Sequence, residues 1–155
     1  MSSLQNIKRS TVLIPYFKSS PYAQKTLNLL DVGSRGGYEN HWRQFKPELQ
    51  VLGFEADEDE CNRLNIENSA KLESHLPNAL GEKNQAGHFY LYKNQPSSSF
   101  FPPNDALVQR FADYQNLRIE SSIELRTSSL DELLLKQSVS EFDFLKMDAE
   151  GYVVN

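Results

Sequence analysis

Two acidic residues near the ends of apolar runs could bind the sugar and the charged end of a nucleotide-like ligand. Asp31 lies in the run 27–32, and Glu55 follows the run 50–54, 24 residues further along the chain. A glycine-rich turn that begins at Gly33 follows the first run. In doubly wound α/β folds, an acid about 20 residues beyond such a turn accepts hydrogen bonds from the ribose hydroxyls. The spacing therefore predicts that Glu55 binds a ribose.

The glycine spacing separates two kinds of nucleotide. The dinucleotide fingerprint needs glycine at its first, third and sixth positions, and counted from Gly33 the last two positions are Arg35 and Tyr38. The pattern present is Asp-x-Gly-x-x-x-Gly, from Asp31 to Gly37, which suits a ligand without a pyrophosphate. S-adenosylmethionine fits, because its sulfonium and ammonium groups would be attracted to Asp31. The same spacing disfavours a nicotinamide-dependent oxidoreductase.

A further acidic pair, Asp148 and Glu150, lies near the C-terminal end of the chain. The apolar run 142–148 predicts a strand, and residues two apart on an extended strand face the same side. One carboxylate could act as a general base towards a bound substrate, since a nearby like charge raises the pKa of a carboxyl group. The pair could instead bind a divalent cation, or Asp148 could cap the next turn while Glu150 has a structural role.

Alternating strands and helices must position these residues. Apolar runs and alternating patterns predict strands over 27–32, 50–55, 87–92, 123–127 and 142–148, and a short strand with its turn over 75–81. Apolar stripes and capping residues predict four helices. The first covers 38–45, and the second runs from Asp57 to about Asn68 with Cys61 and Leu64 facing inward. The third begins at Asn104 and has a stripe of Leu107, Phe111 and Tyr114, and the fourth begins at Ser129. This order predicts an α/β fold with a mostly parallel sheet.

Composition narrows the class of protein. The chain has 155 residues, 39% of them hydrophobic, and a net charge of −5, which predicts one soluble domain. The acidic balance argues against binding to nucleic acid phosphate, and no run of about 18 apolar residues predicts a membrane span. The single cysteine cannot form an internal disulfide, which suits a cytoplasmic protein. Residues 1–26 are expected to form an irregular lead-in, and residues 27–155 the ligand-binding domain.

Four segments together resemble the FkbM family of S-adenosylmethionine-dependent methyltransferases. They are residues 29–37 with the glycine turn, 53–56 (Gly-Phe-Glu-Ala), 128–133 (Ser-Ser-Leu-Asp-Glu-Leu) and 144–152, which contains Lys-Met-Asp-Ala-Glu-Gly. The resemblance covers about residues 27–152. It implies a Rossmann-like, doubly wound class I methyltransferase sheet. It also implies methyl transfer to a hydroxyl of a sugar, a polyketide or another small molecule.

The resemblance also implies roles for individual residues. The cofactor-binding residues would be Asp31, Gly33, Ser34, Gly37, Glu55, Ala56 and Ala79. Among them the glycine turn would line the methionine end of the donor, Glu55 would bind the ribose, and Ala79 would lie near the adenine. Asp148 and Glu150 would face the methyl group and the acceptor, as the candidate catalytic residues.

This sequence departs from the family pattern at its C-terminal end. The family normally continues with a further helix and three more strands, whereas this sequence ends four residues after Gly151. We therefore expect a sheet that lacks its C-terminal strands, in a fragment or in a chain that pairs with another copy. Pairing would use the exposed edge at Phe142 and Phe144. The competing hypothesis is a non-catalytic module that binds S-adenosylmethionine or acts only in assembly.

Overall fold

The computed structural model describes residues 13–39, 41–42, 45, 49–68 and 72–150. Within them the strands are β1 (Leu27–Val32), β2 (Leu49–Phe54), β3 (Glu73–Leu76), β4 (Ala79–Leu80), β5 (Ala86–Tyr92), β6 (Ile119–Ser128) and β7 (Phe144–Met147). The α-helices are α1 (Leu13–Ser19), α2 (Glu58–Glu67), α3 (Asp105–Val108) and α4 (Leu130–Lys136). None of the described helices is long and apolar enough to cross a membrane.

A parallel sheet of four strands, in the order β3-β2-β1-β7, forms the centre of the fold. The inner strands β1 and β2 are largely buried, because near-continuous apolar runs suit a sheet that is covered on both faces. Successive side chains alternate between two cores: Leu29 and Val51 pack on one face, and Leu30 and Phe54 pack with Leu133 on the other. This Rossmann-like arrangement confirms the predicted fold class.

A second sheet has three strands in the order β4-β6-β5. β5 runs antiparallel to β6, which confirms the alternating strand predicted over 87–92, and β4 pairs with the end of β6 in parallel. The short strand and turn predicted over 75–81 differ from the structure, which has two separate strands there, β3 and β4, in different sheets. Pro77 lies between them, and it lacks the N–H group that a continuous ladder would need.

Side-chain caps begin two helices where the sequence predicted them. Asp57 accepts hydrogen bonds from two backbone N–H groups at the start of α2, and Ser129 accepts one at the start of α4. These caps satisfy N–H groups that have no partner within the helix. α2 buries Cys61 and Leu64 against the sheet side of the domain, as the apolar pattern predicted.

The helix predicted over 38–45 is wrong for the residues that the structure describes. Tyr38 lies in a bend, and His41 and Trp42 lie in a 3₁₀ turn, while residues 40, 43 and 44 lie outside the described part. Tyr38, Trp42 and Phe45 nevertheless pack into the core beside β1 and β2. The apolar spacing therefore indicated burial correctly and helical geometry wrongly.

The helix predicted from Asn104 is much shorter than its apolar stripe suggested. Asn104 caps α3, which ends after four residues, and a 3₁₀ segment follows at Ala112–Asn116. Leu107, Phe111 and Tyr114 are each about half exposed, at 48–52%. Because this stripe is not buried, it does not supply the packing that stabilises most helices in proteins.

Two further segments bear on the predictions, namely α1, which precedes the parallel sheet in the chain, and β7, which lies at one side of it. α1 is regular structure within the lead-in that was expected to be irregular, and Ile14 on it is buried. β7 is the last strand of the sheet among the described residues. Phe142 and Phe144 are 42% and 41% exposed there, as expected for a strand edge without a neighbour.

Candidate functional site

The carboxyl ends of β1, β2 and β7 meet at one edge of the parallel sheet. The backbone N–H groups of Gly33 and Ser34 both donate to the carbonyl oxygen of Phe54, at 3.0 and 3.1 Å. The N–H group of Asp148 donates to the carbonyl oxygen of Val32 at 2.9 Å. The glycine turn therefore lies beside the ends of both neighbouring strands, which is where ligands bind in open α/β sheets.

The glycine turn needs glycine for two separate reasons. Gly33 and Gly36 have φ angles of +71° and +79°, a conformation that residues with a Cβ rarely adopt. A Cβ on Gly33 would also overlap the carbonyl oxygen of Asp148, whereas a Cβ on Gly36 would meet no atom within 4 Å. Gly33 thus permits both the turn and the close approach of the chain after β7.

Glu55 follows β2 directly, and its side chain is buried, with 4% of the residue exposed. Its Oε1 accepts a hydrogen bond from the backbone N–H of Asp57 at 2.9 Å and lies 3.7 Å from Nη2 of Arg35. Burial raises the pKa of Glu55 above its ordinary value, while the Asp57 hydrogen bond and the Arg35 charge act to lower it. Oε2 receives no hydrogen bond from the described residues, so it is available to a ligand.

Arg35 connects the glycine turn to two other segments. Its Nη2 donates to the carboxylate of Asp57, and its Nη1 donates to Oε1 of Gln95 at 2.6 Å. The next residue of the turn, Gly36, donates its N–H to Oε1 of Glu60 at 2.8 Å. The turn is therefore attached to the first turn of α2 and to the loop after β5.

Asp31 is buried at the end of β1 and pairs with Lys146 on β7. The register of the two strands places these residues opposite each other, and Nζ of Lys146 lies 3.0 Å from Oδ1 of Asp31. The same Nζ donates to the carbonyl oxygen of Gly33 at 2.9 Å. Burial raises the pKa of Asp31, and the Lys146 charge opposes that rise.

Ser34 is also buried, and its hydroxyl has a partner inside the protein. Its Oγ lies 2.9 Å from Nδ1 of His75, a residue that is 2% exposed. A Cβ on Gly53 would overlap both side chains, so the glycine in β2 makes room for the pair. Burial lowers the pKa of His75, which favours the neutral imidazole. Ser34 therefore stabilises the turn from inside the fold.

A cavity of about 450 Å³ opens at this edge of the sheet, a size typical of small-molecule sites. Asp31 and Ser34 do not line it. The other residues implied by the sequence do, and the structure brings together Gly33, Gly37, Glu55, Ala56, Ala79, Asp148 and Glu150. The glycine turn, the acid that was expected to bind a ribose and the candidate catalytic acids therefore line one cavity.

The acidic pair that follows β7 lines the cavity, although its geometry differs from the prediction. β7 ends at Met147, and Glu150 has a φ angle of +45°, so an extended strand through both acids is wrong. The Asp148 side chain is 63% exposed, with Oδ2 lying 4.0 Å from Nζ of Lys146. The carbonyl oxygen of Glu150 accepts a hydrogen bond from Oγ of Ser99 at 3.3 Å. Within the described residues, no three acidic, histidine or cysteine side chains cluster as metal ligands would.

Acidic groups outnumber basic groups around the cavity. Its charged lining residues are Arg35 and Lys146 on the basic side, and Glu39, Glu55, Glu82, Asp148 and Glu150 on the acidic side. Such an excess of carboxylates attracts a cationic ligand and opposes a pyrophosphate. The charge of the cavity therefore favours a cationic ligand over one that carries a pyrophosphate.

Several lining residues were not singled out from the sequence. Lys146 lies within the closing motif, and the register opposite Asp31 is the signal that could have identified its partner. Phe89 and Phe100 pack edge to face, with ring centroids 5.2 Å apart, and both line the cavity. Ala79 of the second sheet was expected at the site, but no local pattern indicates that the two phenylalanine rings reach it, because only tertiary packing brings them there.

The strand order, with a cavity at the carboxyl edge of the sheet, is that of a Rossmann-like α/β domain. Within that class, residues 31–152 match the family described as the methyltransferase FkbM domain. The match spans most of the chain, and the protein belongs to this family of methyltransferases, which confirms the resemblance seen in the sequence. No curated protein and no solved structure matches the chain significantly.

Proposed function

We propose that this domain uses S-adenosylmethionine as methyl donor and methylates a hydroxyl group of a small-molecule acceptor. The buried carboxylate of Glu55, on the cavity and beside the turn that begins at Gly33, is the observation that supports this most directly. A carboxylate accepts two hydrogen bonds at once, as adjacent ribose hydroxyls require. The cavity volume and the excess of carboxylates also suit a cationic nucleoside.

The residues around the cavity divide the work of holding the donor. Glu55 would bind the ribose, the backbone from Gly33 to Gly37 would line the methionine end, and Ala56 and Ala79 would flank the adenine. When bound, S-adenosylmethionine supplies a methyl group on a positively charged sulfur, which is already an electrophile. The protein therefore has no need to activate the methyl group, and its remaining tasks are orientation and proton transfer.

Asp148 is the residue that we propose as the base. Its side chain lines the cavity and is largely exposed, so an acceptor hydroxyl can reach it. Asp148 would take the hydroxyl proton as the acceptor oxygen bonds to the methyl carbon and the sulfur–methyl bond breaks, which leaves S-adenosylhomocysteine as the product. Glu150 would contact the same acceptor. Such a base contributes roughly a hundredfold or more, whereas holding the reacting atoms in line can contribute on the order of 7 kcal/mol.

Calorimetric titration tests the donor half of the proposal. S-adenosylmethionine and S-adenosylhomocysteine should bind, and NAD should not. Glu55→Gln keeps the side-chain shape but removes the charge that accepts both ribose hydrogen bonds, so it should weaken binding roughly 10- to 100-fold. The matched control is Glu58→Gln, an exposed acid three residues further on that does not line the cavity.

A deoxyribose analogue makes the same experiment specific for the sugar. If Glu55 binds the ribose, the Glu55→Gln loss should be much smaller for the 2′-deoxy analogue of S-adenosylhomocysteine, because interacting partners are not additive. An equal loss for both ligands would show that Glu55 does not bind the 2′-hydroxyl. NAD binding without any response to the two sulfur ligands would contradict the whole proposal.

A further inference from the structure

We infer that Arg35 is a positioning residue of the donor site, which holds the Glu55 carboxylate in place and attaches the loop at Gln95 to the glycine turn. The inference rests on the proposed function for its ligand, since Glu55 is the residue that would bind the donor ribose. Arg35 occupies a position at which the dinucleotide fingerprint requires glycine.

The contacts of Glu55 show what Arg35 controls. Oε1 of Glu55 accepts a hydrogen bond from the backbone N–H of Asp57 at 2.9 Å, and it lies 3.7 Å from Nη2 of Arg35, close enough for an ion pair. Both act on the same oxygen, which leaves Oε2 for a ligand. A glutamate side chain that is already oriented loses less rotational freedom when it binds. Arg35 therefore orients Glu55 for the ribose.

The site suits arginine better than lysine. Nη2 of Arg35 donates a hydrogen bond to Asp57, and Nη1 donates one to Gln95. A planar guanidinium can donate to two partners in fixed directions, whereas a lysine ammonium cannot reproduce that geometry. The side chains of Arg35, Glu55 and Asp57 are 15%, 5% and 17% exposed. Water therefore screens their charges only weakly. The guanidinium also separates two carboxylates that would otherwise repel each other.

The contact with Gln95 has a separate consequence. Gln95 begins a 3₁₀ segment at Gln95–Ser97, and Gln95, Pro96 and Ser98 line the cavity. The Nη1–Oε1 bond of 2.6 Å therefore attaches this loop to the glycine turn at the cavity edge. Loss of the Gln95 amide should release the loop while it leaves the Glu55 carboxylate held by Arg35.

The first test is a titration of Glu55 in the ligand-free protein. The charges that act on Glu55 are Arg35 from the glycine turn and Asp57 and Glu60 from the start of α2. Carbon NMR of the labelled carboxyl should show a higher Glu55 pKa in Arg35→Gln and a pKa close to wild type in the exposed control Arg110→Gln. An unchanged Glu55 pKa in Arg35→Gln would overturn the inference.

The second test is the affinity for S-adenosylhomocysteine. Arg35→Gln should weaken binding about tenfold in the wild-type background and clearly less in the Glu55→Gln background, because its target carboxylate is then absent. Arg35→Lys keeps the charge and should retain the Glu55 pKa while affinity still falls. Gln95→Ala should raise the dissociation rate severalfold without changing the Glu55 pKa.

The two tests distinguish failure of the inference from failure of the proposed function. Equal losses in both Glu55 backgrounds would show that Arg35 acts only on the general structure of the turn, and would overturn the inference. If the wild-type protein binds neither sulfur ligand, the proposed donor is wrong, and the NMR titration still decides whether Arg35 holds Glu55. The melting temperatures of the ligand-free variants identify any variant that has lost its fold. If Arg35→Gln is such a variant, the affinity of Arg35→Lys is compared in the two Glu55 backgrounds instead.

Discussion

Removing the positive charge of Lys146 tests how the fold accommodates Asp31. Asp31 is 1% exposed, and Nζ of Lys146 at 3.0 Å is the nearest positive charge that the described residues supply. Lys146→Met keeps most of the side-chain volume but leaves the carboxylate without its counter-charge. It also removes the hydrogen bond to the carbonyl oxygen of Gly33. We therefore expect the variant to lose global stability and to loosen the glycine turn.

The expected magnitude follows from the burial of the two side chains. Removing one partner of a buried ion pair costs about 3–5 kcal/mol. The Lys146 side chain is 21% exposed, so water already weakens the pair, and we expect the lower end, about 3 kcal/mol. For a domain of this length, such a loss lowers the melting temperature by roughly 6–12 °C. Asp31→Asn should cost less, because the partly exposed lysine can turn to water.

The pH dependence of the loss gives a second, independent readout. The folded-state pKa of Asp31 is raised by burial, so the folded protein binds this proton more tightly than the unfolded chain does. Stability therefore falls as the pH rises from the ordinary aspartate pKa through the raised one. Without Lys146 the pKa rises further, and the deficit of Lys146→Met should shrink as the pH falls below it.

Urea denaturation followed by circular dichroism measures these effects. The double variant Asp31→Asn/Lys146→Met should recover most of the stability that Lys146→Met loses, because no unpaired charge remains. Two results would refute the reasoning. One is a Lys146→Met variant as stable as wild type at pH 7, and the other is a double variant that is no more stable than the single one.

Two further predictions concern the glycine turn and the proposed base. Gly33→Ala should abolish binding of S-adenosylhomocysteine, because its Cβ would overlap the carbonyl oxygen of Asp148. Gly36→Ala, with a similar φ angle and open space around its Cβ, should cost only about 1–2 kcal/mol of stability; equal binding losses would show that the close approach is unimportant. Asp148→Asn should lower methyl transfer about a hundredfold or more in a single-turnover assay while donor affinity is kept, against the exposed control Asp131→Asn. Unchanged turnover would exclude Asp148 as the base.

The central sheet could be predicted from the sequence because a strand that is buried on both faces is a short run of mostly apolar residues. β1 and β2 are continuous apolar runs, and the acid that ends the second run, Glu55, lies on the cavity in the structure. To predict that Glu55 and Gly33 lie close together, it was enough to assume that two neighbouring strands pair in parallel, as β1 and β2 do. Predictions of this kind succeed when one sequence segment contains both the element and its end.

Contacts between distant segments could not be predicted in the same way. Arg35 meets Asp57 and Gln95, which are 22 and 60 residues away, and no periodicity relates those positions. The pattern Tyr38–Trp42–Phe45 matches a helix, yet these residues need only be buried, which a bend and a 3₁₀ turn also achieve. Spacing indicates burial more reliably than it indicates backbone geometry.

Because Asp31 is paired with Lys146, its negative charge is already neutralised within the protein. An ion pair has no net charge, so attraction for the proposed cationic donor would come from the carboxylates that line the cavity instead. Asp148 is one of them, and in the proposed reaction it loses its negative charge when it accepts the hydroxyl proton. The positive charge on sulfur disappears in the same step. The net charge of the cavity and its contents would therefore be the same before and after methyl transfer.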